Sequence, residues 1–173
     1  MATTIAVPRP AAQSTTPATS SAPQAITTDV LERNKALVRR VVDELWNAKR
    51  LDVADEIFAK DCIPHSLQHS ADQLGDRRGP KHIKLIITAW YAAFPDWHIT
   101  VTDLVAEGDR VVLITSGRGT HKGRLMGLAP TGKRVTLTGV RVFRIAAGKI
   151  VEYWALWDWQ GLWQQLGARP PQR

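Results

Sequence analysis

Residues Val135–Trp157 read VTLTGVRVFRIAAGKIVEYWALW, and no other stretch of the chain predicts its fold so directly. Two runs in it, Val135–Ile145 and Lys149–Trp157, are rich in the β-branched and aromatic residues that strands favour. Only Ala146-Ala147-Gly148 separates the two runs, and a short link that contains glycine is typical of a β-hairpin. The stretch therefore predicts two long antiparallel strands.

Two further β-rich runs precede this hairpin. Apolar and polar residues alternate at the start of Trp97–Glu107, which predicts a half-buried strand. The second run is Arg110–His121, and the turn signal Gly108-Asp109 separates it from the first. The C-terminal half of the chain therefore predicts four antiparallel strands, followed by a short helix over about Trp159–Leu166.

The N-terminal half predicts three helices. Asp29 can cap the first helix, and apolar residues then recur at helical spacing as far as Trp46. A second, short helix follows Asp52. The third begins at Gly79-Pro80, because proline is well tolerated at the first helical position, and its apolar stripe extends to Phe94.

Helices followed by strands predict an α+β fold and not a parallel sheet. We expect a cone-like fold in which three N-terminal helices pack on a curved, mainly antiparallel sheet and enclose a pocket. The chain has no glycine-rich phosphate loop, which argues against a nucleotide-binding fold. We place one domain at residues 29–168, between disordered tails at 1–28 and 169–173. The first tail is rich in Ala, Thr, Ser and Pro and cannot bury enough surface to offset its ordering entropy.

Composition narrows the range of partners. The 173 residues carry a net charge of +7, but the basic residues are scattered, so we expect no nucleic-acid partner. No apolar stretch is long enough to cross a membrane. The single cysteine, Cys62, permits no internal disulfide, and we expect a cytoplasmic protein. Seven tryptophans offer flat surfaces for a ring-shaped hydrophobic small molecule.

Several short motifs are spread over residues 34–167 of the chain. They are LWN at 45–47, AFPD at 93–96, EGDRV at 107–111, GTHKG at 119–123, MGLAPTGK at 126–133, FR at 143–144, GKIVEYW at 148–154, Asp158, and QQLG at 164–167. Together they resemble the SnoaL-like polyketide cyclase family, also called ester cyclases. The motifs are specific for the family and much less so for one function, because the fold hosts many activities.

The resemblance implies a cone-like fold related to nuclear transport factor 2, and homodimers that pack through the outer face of the sheet. It also implies a cyclase that closes a polyketide ring by intramolecular aldol condensation, without a metal or another cofactor. By this resemblance the family's acid/base aspartate matches Asp158, and its pocket histidine corresponds to His65.

The residues themselves support two interpretations of Asp158, an acid/base group or a helix cap. An aldol closure takes a proton from carbon beside a carbonyl and later returns a proton to the new alkoxide, and one carboxyl group can do both if its pKa is raised. Asp158 lies in the most aromatic stretch of the chain, where burial would raise its pKa. It also immediately precedes the last helix, so it could simply cap that helix.

Six other residues are candidates for substrate binding. Most have a structural alternative: the apolar stripe is core by default, His121 could stabilise a turn, and the arginines could pair with Glu152. His65 could orient Asp158 or be structural. The six candidates are Trp90, Phe94, Arg118, His121, Arg141 and Trp154.

Three classes of function stay open from the residues. Cofactor-free acid/base ring closure is the first, and a binding protein that holds a ligand in the same cavity without turnover is the second. An epoxide hydrolase or isomerase is the third, although it needs a second buried carboxylate, for which only Glu152 offers itself. His65 and His69 have helical ligand spacing, but Pro64 disfavours a helix there, so we predict no metal site.

Overall fold

The computed structural model describes residues 27–66 and 78–169. Nearly all of the first predicted tail and of the second lie outside these ranges, as does His69. Within them, no helix is long and apolar enough to cross a membrane.

The helices account for the first half of the fold. The chain begins with α1 (Thr28–Arg40), widens into a π-helical segment (Val41–Asn47), and continues through α2 (Val53–Ile57). After the first strand comes α3 (Gly79–Ala93), with proline in its first turn. The last helix is α4 (Trp159–Leu166), which ends at Gly167 in the left-handed conformation.

Five strands form one sheet in the order β1-β5-β4-β3-β2. The predicted hairpin is β4 (Arg134–Ala146) paired with β5 (Lys149–Trp157), and β2 (His98–Glu107) pairs with β3 (Arg110–Thr120). All of these pairs are antiparallel, and β3 joins the two hairpins by pairing with β4. The predicted α+β fold with a mainly antiparallel sheet is confirmed.

The fifth strand is a correction to the four that the sequence predicts. The segment β1 (Phe58–Ser66) pairs in parallel with β5 at the edge of the sheet. Its sequence, FAKDCIPHS, lacks an alternating pattern and contains a proline, which a strand tolerates only at an edge. Tertiary pairing with β5 therefore defines this strand, and no local signal does so.

The two faces of the sheet differ sharply. Along β4, alternate residues from Val135 to Ile145 are buried, and their neighbours are exposed or half-buried. The buried face packs against the helices and forms the core with Val38, Leu45 and Ile87. The other face of the sheet, called here the outer face, carries no helix from the part of the chain that the structure describes.

Asn47 explains why the LWN motif matters for this packing. Its side-chain Nδ2 donates to the carbonyl oxygen of Ile99 at 2.8 Å, and its Oδ1 accepts from the Ile99 N–H at 2.9 Å. A single amide side chain therefore satisfies two backbone groups on the edge strand β2. This contact joins the end of the first helical unit to the sheet.

Candidate active site

The helices and the inner face of the sheet enclose a cavity of about 460 Å³. That volume suits a drug-sized organic molecule. Eight aromatic side chains line it: Trp46, Phe58, Trp90, Trp97, Phe143, Tyr153, Trp157 and Trp159. Among the described residues, its ionisable lining groups besides Tyr153 are His65, His82, Arg124 and Arg141, with no aspartate or glutamate.

Glycines on the inner face make room for two of the tryptophan rings. A Cβ on Gly117 would lie 2.2 Å from the Trp97 ring, and one on Gly139 would lie 2.2 Å from the Trp157 ring. Both distances are far below van der Waals contact. The missing side chains let each indole lie flat on the backbone of the sheet and form a wall of the cavity.

Arg141 is a charged residue on the inner face of β4, and the part of the sheet around it is called here the floor of the cavity. Only 5% of the residue is exposed, and its Nε and Nη2 atoms are buried without a hydrogen-bond partner among the described residues. Its Cζ lies 5.0 Å from the centroid of the Trp157 ring, a cation–π contact. Burial lowers the pKa of Arg141 to about 10, so it still carries its charge at neutral pH.

Tyr153 lies beside Arg141 on the same face of the sheet. Phe143 is the cross-strand partner of Tyr153, and Arg141 pairs with Ala155, so Arg141 and Tyr153 are diagonal neighbours. Burial raises the pKa of Tyr153, and its phenol therefore stays protonated. The sequence placed Tyr153 and Trp154 on opposite faces, but Tyr153 was not among the predicted site residues.

Trp90 leads an aromatic cluster on the helical side of the cavity. Its ring stacks on Phe94 at a centroid distance of 4.9 Å and meets Trp97 and Trp159 edge-on at 5.1 and 5.9 Å. The Nε1 atom of Trp90 is buried and has no partner among the described residues. Trp90 lines the cavity as predicted, whereas Phe94 is fully buried behind it and supports the ring.

His65 borders the cavity from the edge strand. Its Nε2 lies 3.2 Å from Oε2 of Glu152, and the other oxygen of that carboxylate, Oε1, accepts from Arg144. The imidazole stacks on Trp154 at 4.6 Å with an interplanar angle of 7°. The Arg144 hydrogen bond, followed by smaller contributions that include His65, holds the pKa of Glu152 below its usual range.

Asp158 does not have the dry environment that its sequence suggested. The residue is exposed, and its Oδ1 accepts from the Gly161 N–H at 2.8 Å, so it caps α4. Its two chain neighbours, Trp157 and Trp159, line the cavity, but Asp158 is not among the lining residues. The turn between β5 and α4 therefore holds the carboxylate beside the cavity and in contact with solvent.

Besides Phe94, three of the predicted binding residues lie outside the cavity, which corrects the expectation for each. Arg118 is exposed on the outer face, because strand alternation gives it the parity of Ile114. Trp154 lies on that face as well, stacked on His65. His121 is buried, and its Nδ1 accepts from the Thr131 N–H at 3.2 Å, so it stabilises the turn; burial lowers its pKa.

The chain is similar to known proteins both in sequence and in structure. A model described as SnoaL-like polyketide cyclase matches residues 36–166. Aklanonic acid methyl ester cyclase DnrD of Streptomyces peucetius is 31% identical over 137 residues, which cover 78% of this chain and 91% of the relative.

Two solved structures extend the comparison. AclR of Streptomyces galilaeus, described as a candidate hydroxylase, is 30% identical with a TM-score of 0.68, covering 81% of this chain and 99% of that one. A SnoaL-like protein of Jannaschia is 23% identical with a TM-score of 0.73, covering 84% of this chain and 99% of that one. The likeness confirms the cone-like fold related to nuclear transport factor 2.

Proposed function

This chain belongs to the SnoaL-like polyketide cyclase family, and we propose that it closes a ring in a hydrophobic polyketide by an intramolecular aldol reaction. The family makes the chain a cyclase; the substrate and the residue roles are our inference. The observation that carries the inference is the buried guanidinium of Arg141, whose Nε and Nη2 have no partner among the described residues, in a cavity lined mainly by aromatic and aliphatic side chains. Neither a ligand-binding protein nor an epoxide hydrolase is favoured by the relatives, which are named as cyclases.

The reaction needs negative charge to be held on oxygen. A base removes a proton from carbon beside a carbonyl, and the electron pair moves onto that carbonyl oxygen as an enolate. The enolate carbon then attacks a second carbonyl of the same molecule, and the resulting alkoxide takes up a proton. Product and substrate therefore have the same composition. Arg141 stabilises the oxyanion, because a fixed cation in a water-poor site acts strongly on charge as it develops.

Asp158 is our candidate for the base. Its capping bond uses Oδ1, which leaves Oδ2 to take up a proton. Its ionised form is the one that a base requires. His65 lies on the edge strand at the border of the cavity, but its ring contacts Trp154 and Glu152 on the outer face, so we assign it no proton transfer.

The lining supports a flat, ring-bearing substrate. Trp90, Trp97 and Trp157 present indole faces or edges to the cavity, and aromatic groups pack well on such surfaces. Aklanonic acid methyl ester, the compound in the names of three relatives, is therefore the first test substrate. Hydrophobic polyketide esters of similar size make up the rest of the panel.

We also propose that the protein is a homodimer that packs through the outer face of the sheet. Four apolar side chains on that face are exposed: Val105, Ile114, Val140 and Leu156. A contiguous apolar surface of this kind favours association. Leu156→Asp would place a charge in this interface, and sedimentation should then show a monomer where the unchanged protein shows a dimer. A cytoplasmic location remains a prediction from the single cysteine.

The test of function is turnover of the panel, followed by mass spectrometry. We expect an isomeric ring-closed product from the unchanged protein, and at least a hundredfold lower rate from Asp158→Asn, within the range that acid/base groups contribute. Asp61→Asn, an exposed carboxylate that does not line the cavity, is the matched control and should keep full activity. A substrate that binds and returns unchanged would contradict the cyclase, and a product heavier by one oxygen would indicate hydroxylation.

A further inference from the structure

The polar groups around Arg141 in the cavity are hydrogen-bond donors. Arg141 offers two unpaired N–H nitrogens, and Trp90 offers one. Tyr153 adds a phenol that stays protonated. Among the described lining residues no carboxylate balances the guanidinium. The floor is therefore a set of hydrogen-bond donors without an anionic partner.

No carboxylate reaches Arg141 from the sheet around it. Its neighbours on the inner face carry no carboxylate: they are Phe143 along β4, Ala155 and Tyr153 on β5, and Leu113 on β3. Glu152 belongs to the opposite face of β5, where Arg144 and His65 already occupy it. On its remaining side the guanidinium rests against the Trp157 ring.

A buried cation without an anion is unfavourable unless a partner arrives from outside. An oxyanion on a ligand would satisfy the free Nε and Nη2 atoms together, because a guanidinium presents its donors as a planar fork. The Tyr153 phenol, diagonal to Arg141 on the sheet, is a second donor for the same region. The ring that carries the oxyanion would lie among the indoles of the cavity.

We propose that the cavity is a binding site for a planar aromatic oxyanion, fixed by Arg141 with Tyr153 as its second donor. This inference rests on the proposed function and narrows it: the preferred ligands carry a negatively charged oxygen on a ring system before any reaction begins. A carboxylate and a delocalised enolate share this chemistry. Tyr153 becomes a second hydrogen-bond donor to the reacting oxygen, and the proton that neutralises the alkoxide is the one that the base took from carbon.

The test uses ligands that cannot react. We would measure binding of 2-naphthoate, methyl 2-naphthoate and the neutral enolisable diketone 2-acetyl-1-tetralone by calorimetry at pH 7 and at pH 9.5. We expect 2-naphthoate to bind at least about tenfold more tightly than its methyl ester, the factor that one charge-assisted hydrogen bond supports. The diketone should gain affinity at pH 9.5 if enolates are bound as carboxylates are.

Variants of Arg141 and Tyr153 test whether these two residues cause the preference for 2-naphthoate over its ester. Arg141→Gln should remove the preference for 2-naphthoate, and Tyr153→Phe should reduce it severalfold. Arg118→Gln, an exposed arginine on the outer face, is the matched control and should change nothing. If Arg141→Gln fails to fold, Arg141→Met replaces it, since a buried apolar side chain avoids an unsatisfied amide.

Two results would refute the oxyanion site, and both can be told apart from a result that refutes the cyclase activity. Equal binding of naphthoate and its ester, with turnover of the ester panel intact, would refute the oxyanion site and leave the cyclase standing. An unchanged preference in both Arg141 variants would place the anion elsewhere. If no aromatic probe bound and no polyketide were turned over, the cavity would not be the site at all.

Discussion

Arg141 and Trp157 form the floor of the cavity together, with the guanidinium carbon 5.0 Å from the centroid of the indole ring. The ring covers one face of the cation, and burial in the sheet removes it from water. The contact stabilises the charge only in part, because aromatic faces offer no hydrogen-bond acceptor comparable to a carboxylate. The pair therefore presents a cation whose free nitrogens are available to a ligand.

Gly139→Ala should disturb this floor. A Cβ at position 139 would lie 2.2 Å from Trp157 and would push the ring away from the sheet. We expect a loss of about 1–3 kcal/mol in the free energy of unfolding, the usual cost of overpacking, and weaker ligand binding. Urea unfolding measures the first effect. Thr138→Ala, one position away on the outer face, should cause neither change.

Arg141→Met should separate stability from activity. Replacing a buried unpaired charge by an apolar side chain should leave the melting temperature unchanged or raise it, while cyclase activity falls at least a hundredfold. Calorimetry and the turnover assay measure the two effects. A variant that is both less stable and fully active would show that the guanidinium serves the fold and not the ligand.

The lowered pKa of Arg141 gives the unchanged protein a particular dependence on pH. The folded-state pKa is about 10, well below that of a free guanidinium, so the unfolded chain binds more protons in the alkaline range above about pH 10. Stability from this group therefore increases as pH rises above about 10, and below that its burial opposes folding by a constant amount. The stability difference between the unchanged protein and Arg141→Met should narrow across that alkaline range.

Glu152 should have the opposite dependence. Its pKa is lowered below 4.5, chiefly by the hydrogen bond from Arg144, so its contribution is present above about pH 4.5 and is lost as pH falls through the folded-state value. Glu152→Gln should therefore lower the melting temperature at pH 7, and its effect should decrease as pH falls below 4.5. Glu107→Gln, an exposed glutamate at the end of β2, is the control.

Gly161→Ala tests the position of Asp158 without removing its carboxylate. A Cβ at residue 161 would lie 2.1 Å from Oδ2 of Asp158, so the side chain must rotate away from the cap. If the carboxylate is the base, the rate should fall at least tenfold while ligand binding persists, because proton transfer depends on hydrogen-bond reach. Unchanged turnover would remove Asp158 from the mechanism.

Local sequence patterns predicted most of the fold. The hairpin at Ala146-Ala147-Gly148 and the proline at the start of α3 carry strong local signals, and both are present. The strand β1 carries none, because its pairing with β5 depends on residues about ninety positions away in the chain. Such long-range pairing is invisible to periodicity.

The residues of the site were harder to predict from the sequence than the fold was. Arg141 could be singled out because a charged residue in the middle of an apolar strand needs a partner. Tyr153 was passed over in favour of Trp154, because alternation shows that two neighbours face opposite ways but not which of them faces inward. Asp158 illustrates the converse: aromatic neighbours in sequence do not bury a residue that lies at a turn before a helix.

The most direct test is a crystal structure of the protein with 2-naphthoate or a polyketide ester bound. We expect a ligand oxygen about 2.7–3.0 Å from Nε or Nη2 of Arg141, with the rings against Trp157 and Trp90. A ligand bound on the outer face, or one in the cavity with no oxygen near the guanidinium, would contradict the proposed oxyanion site.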